Sequence, residues 1–246
     1  MTFRDTLVGV ANKEWQWFGK DLTRADKFIG PDGKTTFSKG TKTKPNPRKE
    51  TVEPYNTKIG DYWLAVPTAS YNRLVKNYAK AKGKLDGTIN IAWSAAFISY
   101  CMQKAGAGTS FPYETGHATW MVKAIRNWQD KKINAALVGY EPGKLPLQPG
   151  DLIGRPREAG VTYKNAVKKG WFLSHSDIVV EIDVAKRRAY VIGGNVGQSC
   201  SKSEVKIDKD GKLTDPGGWI VHIQNNINID QDVAELNPLP KTMQVG

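Results

Sequence analysis

Residues 90–108 read Asn-Ile-Ala-Trp-Ser-Ala-Ala-Phe-Ile-Ser-Tyr-Cys-Met-Gln-Lys-Ala-Gly-Ala-Gly, and the fold turns on how this stretch is read. From Ala92 to Met102 the only polar side chains are Ser94, Ser99 and the Tyr100 hydroxyl. Such a run predicts a helix buried nearly all round, starting near Ala92 and stopping before Gly106, with Gly106 and Gly108 ending it. Asn90 or Thr88 is the expected cap. Ser94 then stands in the first turn, where free N–H groups and the positive end of the helix dipole gather. A serine there is either satisfied by local hydrogen bonds or is a nucleophile whose oxyanion the amides stabilise.

Helices precede strands along the chain. Leu7, Ala11, Trp15 and Phe18 recur at helical spacing over residues 5–18. Residues 30–60, rich in Gly, Pro, Thr and Lys, lack apolar periodicity and read as a long basic loop or arm. A helix is expected over 69–82, with Tyr71, Leu74, Val75 and Tyr78 on one face. Another is expected over 117–129, where Trp120, Met121, Ala124, Ile125 and Trp128 form a stripe and His117 faces inward in the first turn. After about residue 145 the segments LPLQPGDLIG, GWFLSHSDIVVEID, RRAYVIGG, SEVKID and GWIVHIQ are strand-like, and Asp210-Gly211 signals a hairpin turn. This order predicts an α+β fold. The expected organisation is an N-terminal helix and basic arm (1–60), a main domain (61–227) and a polar surface tail (228–246).

Composition narrows the function classes. The chain has 246 residues, a net charge of +12 and 39% hydrophobic residues, enough for a sizeable core. No apolar run approaches about 18 residues, so no membrane span is expected. The first residues, MTFRDTLVGVANKEW, lack a signal-peptide pattern, so the protein is expected to be made in the cytoplasm and delivered by another route. The basic surface suits anionic partners: nucleic acid, anionic lipid or acidic cell-wall polymer. Cys101 and Cys200 are too few for a disulfide scaffold, and no bridge is assigned between them. The absence of CxxC, HExxH, P-loop and GxGxxG patterns leaves no expected metal or cofactor.

Strand alternation puts His175 and Asp177 on one face, with Ser174 and Ser176 on the other. A histidine takes a hydroxyl proton near neutral pH and needs a partner to orient it. Asn195, on the neighbouring strand, and Asp177 are both candidates for that partner. His117 is a second candidate base, or a histidine stacked beside Trp120. His222 reads as structural and Cys101 as buried filler. Gly193-Gly194 is expected to let the backbone approach a neighbour closely.

The order of these motifs resembles the papain-like peptidoglycan hydrolases of the NlpC/P60 and CHAP type. Trp93-Ser94-Ala95-Ala96-Phe97 resembles their helix start, Pro149-Gly150-Asp151-Leu152 their turn before the first core strand, His175 their catalytic histidine and Asn195 their polar third residue. A closer resemblance is to the DUF2272 family, carried by Trp93–Ser99, Phe111–His117, His175–Val180 and Ile192–Val196, and spanning about residues 60–224. The resemblance implies a papain-like fold and cleavage of a peptidoglycan amide bond, as in a phage lytic protein or secreted antibacterial toxin. Ser94, His175 and Asn195 would be catalytic, and His117, Asp177 and Trp93 would line the cleft or act in another arrangement. It also implies action in the periplasm or wall after delivery, with delivery machinery or an immunity protein as further partners. The departure is Ser94, where NlpC/P60 and CHAP carry cysteine: a hydroxyl does not ionise as a thiol does and depends on a base during attack. The alternative is a non-catalytic wall-binding or nucleic-acid-binding module on the same fold.

Overall fold

The computed structural model describes residues 1–22, 27–29, 35–37, 49–66, 68–214 and 218–228. Most of the basic arm and the tail after residue 228 lie outside these. The described residues form six helices, a six-stranded antiparallel sheet and a separate antiparallel pair, β1 (Lys27–Ile29) with β2 (Thr35–Phe37). The α+β order is therefore present.

The sheet comprises β3 (Leu137–Tyr140), β4 (Leu152–Pro156), β5 (Ser174–Asp183), β6 (Arg188–Val196), β7 (Ser199–Lys206) and β8 (Val221–Asn225), in the order β3-β8-β4-β5-β6-β7. Alternation along β5 divides the core into two. Ile178 and Val180 join the helix-side cluster with Phe97, Trp120 and Ile192, whereas Val179 joins Ile153, Val191, Val205 and Trp219 in the second cluster. His175 and Asp177 share the parity of Val179, and Ser176 that of Ile178. Accordingly the Trp120 indole, on the helix side, donates to Ser176 Oγ at 3.0 Å.

The helices are α1 (Phe3–Trp17), α2 (Tyr55–Leu64), α3 (residues 69–82), α4 (Ser94–Lys104), α5 (Ala118–Gln129) and α6 (Tyr163–Lys169). A Thr2–Asp5 capping box starts α1, which buries Phe3, Leu7, Ala11 and Glu14. Its Arg4 reaches Asp151 Oδ1 at 2.7 Å. Asp151 also accepts from Gln148 N, from Asn225 N and from His222 Nε2 (2.7 Å). The Pro149-Gly150-Asp151 turn thereby ties α1 and β8 to the start of β4. His222 belongs to this anchor.

Four details differ from the sequence expectation. Helix α2 begins at Tyr55, inside the segment read as arm, because Ile59, Tyr62 and Trp63 bury a short stripe that a loop composition on its N-terminal side obscures. Strand β3 was not expected; Tyr163 Oη donates to Gly139 O, and a Cβ at Gly139 would lie 2.7 Å from Ile125 N, so the strand is set by tertiary contact. A π-helical stretch, Asn72–Lys76, turns α3 so that Tyr71 and Val75 are buried while Leu74 and Tyr78 are exposed. Trp128 is exposed too, its ring 4.6 Å from that of Tyr140.

Candidate active site

Helix α4 starts at Ser94 itself, two residues later than expected, with Trp93 at the N-cap position and no side-chain cap. Neither Asn90 nor Thr88 caps it; the Thr88 hydroxyl turns back to Asp86 Oδ1. Trp93 is held instead by packing. Its ring stacks on Phe18 at 5.9 Å and Tyr62 at 5.7 Å, and its indole N–H donates to Glu50 Oε2 at 3.0 Å. Every side chain from Ser94 to Met102 is buried, so the helix enters the core with Ser94 at its leading edge.

Ser94 Oγ lies 2.7 Å from His117 Nε2. His117 occupies the N-cap position of α5, and its ring meets Trp120 edge-on at 5.0 Å. The N-termini of two helices therefore converge on one hydroxyl–imidazole pair. A second pair adjoins it: His175 Nε2 lies 2.7 Å from Asp177 Oδ1, both side chains fully buried on β5. The His117 and His175 rings are 5.2 Å apart and inclined at 60°. The sequence of groups is hydroxyl, imidazole, imidazole, carboxylate.

Asn195 is placed elsewhere. It sits at a bulge of β6 against β7 with φ +55°, a left-handed conformation that asparagine tolerates better than most residues. In the amide orientation that satisfies both partners, Oδ1 accepts from Trp93 N and Nδ2 donates to Glu50 Oε2, each at 3.2 Å. Its hydrogen bonds thus hold the start of α4. Glu50 completes this brace and was missed by the sequence reading; it stands in the basic arm segment, 43 residues before its Trp93 partner, and no local pattern marks it.

Gly193 and Gly194 let β6 pass between these groups. A Cβ at Gly193 would come within 2.0 Å of Asp177 Oδ1 and 3.1 Å of His175 Nε2. At Gly194 it would lie 2.4 Å from Phe97 Cβ and 2.9 Å from Trp93 Cζ3. One glycine makes room for the His175–Asp177 pair on one face, the other for α4 on the opposite face.

Chemically, the Ser94–His117 contact is short enough for proton transfer from hydroxyl to imidazole. The first amides of α4 have no partners within the helix and carry its positive end. Asp177 fixes the Nε2 proton of His175 and brings a carboxylate one ring away from His117. Both cysteines are free and buried, and loss of solvation pushes both thiols well above their ordinary range. That environment makes them inert beside Ser94.

These features define an α+β protein with a buried Ser–His pair at a helix start, backed by a His–Asp pair on the sheet. Over residues 52–229 the chain matches the family described as "Uncharacterized protein conserved in bacteria (DUF2272)", and it belongs to that family. No curated protein and no solved structure matches it. No helix among the described residues is long and apolar enough to cross a membrane.

Proposed function

We propose that this chain is a papain-like hydrolase that cleaves an amide bond of peptidoglycan, with Ser94 as nucleophile and His117 as the base that touches it. The observation that carries the reading is the 2.7 Å Ser94–His117 contact at the leading end of a buried helix. In the first step Ser94 Oγ bonds to the carbonyl carbon while its proton passes to His117 Nε2. The α4 amides hold the oxyanion. As the intermediate collapses, the C–N bond breaks and His117 returns the proton to the leaving amine. Water then attacks the acyl-serine, His117 again taking and returning the proton. The Asp177 carboxylate, acting across His175, favours the imidazolium that forms twice in this cycle. Asn195 and Glu50 position the nucleophile rather than the base.

The net charge of +12 suits an anionic wall polymer. Delivery into the periplasm or wall, by lysis or a secretion machine, and an immunity partner are part of the same reading. Purified sacculi incubated with wild type, Ser94→Ala, His117→Ala and His175→Ala test it. Soluble fragments are expected from wild type, none from the first two variants and fewer from the third. Equal release by all four, or none by any, removes the mechanism.

A second reading is favoured by burial: Ser94 is 7% and His117 3% exposed. In a binding module that kept the fold, the pair would be a structural hydrogen bond. Salt-sensitive retention on sacculi without fragment release identifies that case; retention on nucleic acid in preference to sacculi moves the partner elsewhere.

A further inference from the structure

The segment entering β5 turns two apolar side chains to solvent beside the residues that lead into His117. Trp171 is 62% and Leu173 55% exposed, while Phe172 between them is 1% exposed and packs in the helix-side core. Buried Phe172 pins the segment, and backbone bonds fix its course: Arg157 N donates to Leu173 O and Leu173 N to Glu158 Oε2, both at 2.7 Å. The exposed pair is therefore presented on a held piece of chain.

The indole adjoins the site itself. A Cβ at Gly116, the residue before His117, would come within 3.2 Å of Trp171 Nε1. Trp171 therefore borders the residue that leads into His117, the partner of Ser94. Just upstream, α6 exposes Lys164, Lys168 and Lys169, the last also pairing with Glu158. Held apolar side chains beside ammonium groups match a ligand that alternates flat C–H faces with carboxylates.

We propose that Trp171 and Leu173 form a saccharide-binding platform at the lip of the site, on which a sugar ring of the glycan strand lies while carboxylates of the attached peptide face the α6 lysines. This rests on the reading of the protein as acting on peptidoglycan, and it assigns the glycan, rather than the peptide alone, as the part recognised.

The test uses the full chain with Ser94→Ala, so that the polymer stays intact. Sedimentation with purified sacculi is compared for this variant and for the same variant carrying Trp171→Ala or Leu173→Ala. A soluble β-1,4-linked N-acetylglucosamine oligomer serves as competitor. Removing Trp171 is expected to weaken retention at least tenfold, removing Leu173 less. The oligomer is expected to release the Ser94→Ala chain and to change its tryptophan fluorescence, with no fluorescence change once Trp171 is gone. Unfolding midpoints report the fold, and Trp171→Gln, which also lacks an aromatic face, replaces Trp171→Ala should the latter lower its midpoint. No retention on sacculi, retention unaffected by Trp171→Ala, or capture through Trp171 by anionic phosphatidylglycerol vesicles but not by sacculi overturns the platform. Fragment release by the Ser94-bearing chain is scored separately. A protein held on sacculi through Trp171 that releases nothing keeps the platform and loses the hydrolase reading.

Discussion

Asn195 Oδ1 accepts the backbone N–H of Trp93 at 3.2 Å, so a residue at a bulge in β6 secures the first turn of the helix that carries Ser94. The sheet thereby fixes where the hydroxyl meets His117, although Trp93 and Asn195 are far apart in sequence. With Glu50 bonded to both the Trp93 indole and the Asn195 amide, three chain segments converge behind Ser94.

Replacing Asn195 separates its two contributions. Asn195→Ala loses both hydrogen bonds and keeps a side chain at φ +55°, and is expected to cost about 2–4 kcal/mol. Asn195→Gly loses the same bonds but relieves the backbone, and should recover about 1 kcal/mol of that loss. Denaturant midpoints of the two variants measure the difference. Equal stability would mean that the left-handed backbone carries no strain.

Ser94→Ala and His117→Ala are expected to abolish fragment release from sacculi, by about a thousandfold or more where residual turnover is measurable. Their stabilities should differ. Ser94→Ala removes one buried hydrogen bond, about 1–3 kcal/mol. His117→Ala also removes a ring packed between Trp120 and His175, so its thermal midpoint should fall further. Activity and melting curves of the same preparations check both statements.

The helix of residues 94–104 was legible because burial on all sides leaves a continuous apolar run, and the strands because Val, Ile and aromatics alternate along them. Alternation likewise put His175 and Asp177 on one face, and the two glycines announced a close approach. Which imidazole faces Ser94 was not legible. That depends on how residues 105–116 bring His117 back over the helix start, a path set by tertiary packing rather than periodicity. Glu50 was hidden for the same reason: its partners are remote and its neighbours read as arm. The start of α4 was misjudged because Trp93, braced by Glu50 and Asn195, takes a position that a side-chain cap would ordinarily fill.

Gly193→Ala and Gly194→Ala should both destabilise, through different neighbours. A methyl at Gly194 meets the Phe97 and Trp93 side chains in a filled core and is expected to cost about 1–3 kcal/mol or more. At Gly193 it meets the Asp177 carboxylate, which must leave His175 to make room. Gly193→Ala is therefore expected to lower fragment release in proportion to Asp177→Asn, whereas Gly194→Ala should act mainly on the unfolding midpoint. Both variants measured in both assays decide this, and an identical pattern for the two would contradict the division of the sheet faces.

Cys101 and Cys200 are each 0% exposed, with thiols pushed up by burial. Neither should react with iodoacetamide at pH 8 in the folded protein over the time that free cysteine is consumed, since thiolate and access are both lacking. In denaturant both should be alkylated, and mass spectrometry counts the adducts. Rapid labelling of either in the native protein would mean that the interior around α4 opens far more often than its packing implies.

Helix α1 precedes the residues matched to the family, yet it fills the same core. Phe3, Leu7, Ala11 and Phe18 are almost wholly buried among residues of α2 and α4, and Tyr62 Oη donates to Glu14 Oε2 at 2.6 Å. Burying three such large side chains contributes about 5–8 kcal/mol, a sum comparable with the whole net stability of many domains. Deleting residues 1–18 is therefore expected to leave a chain without a cooperative urea transition. Arg4→Ala is the graded test, because it leaves the apolar face intact. It removes the 2.7 Å partner of Asp151, which is 1% exposed but keeps bonds from His222, Gln148 and Asn225. A loss of about 1–3 kcal/mol is expected. If the shortened chain unfolds cooperatively at the wild-type midpoint, α1 is an appendage and the domain begins at α2. If the deletion abolishes the transition and Arg4→Ala only lowers it, the folding unit extends beyond the matched residues to the first helix.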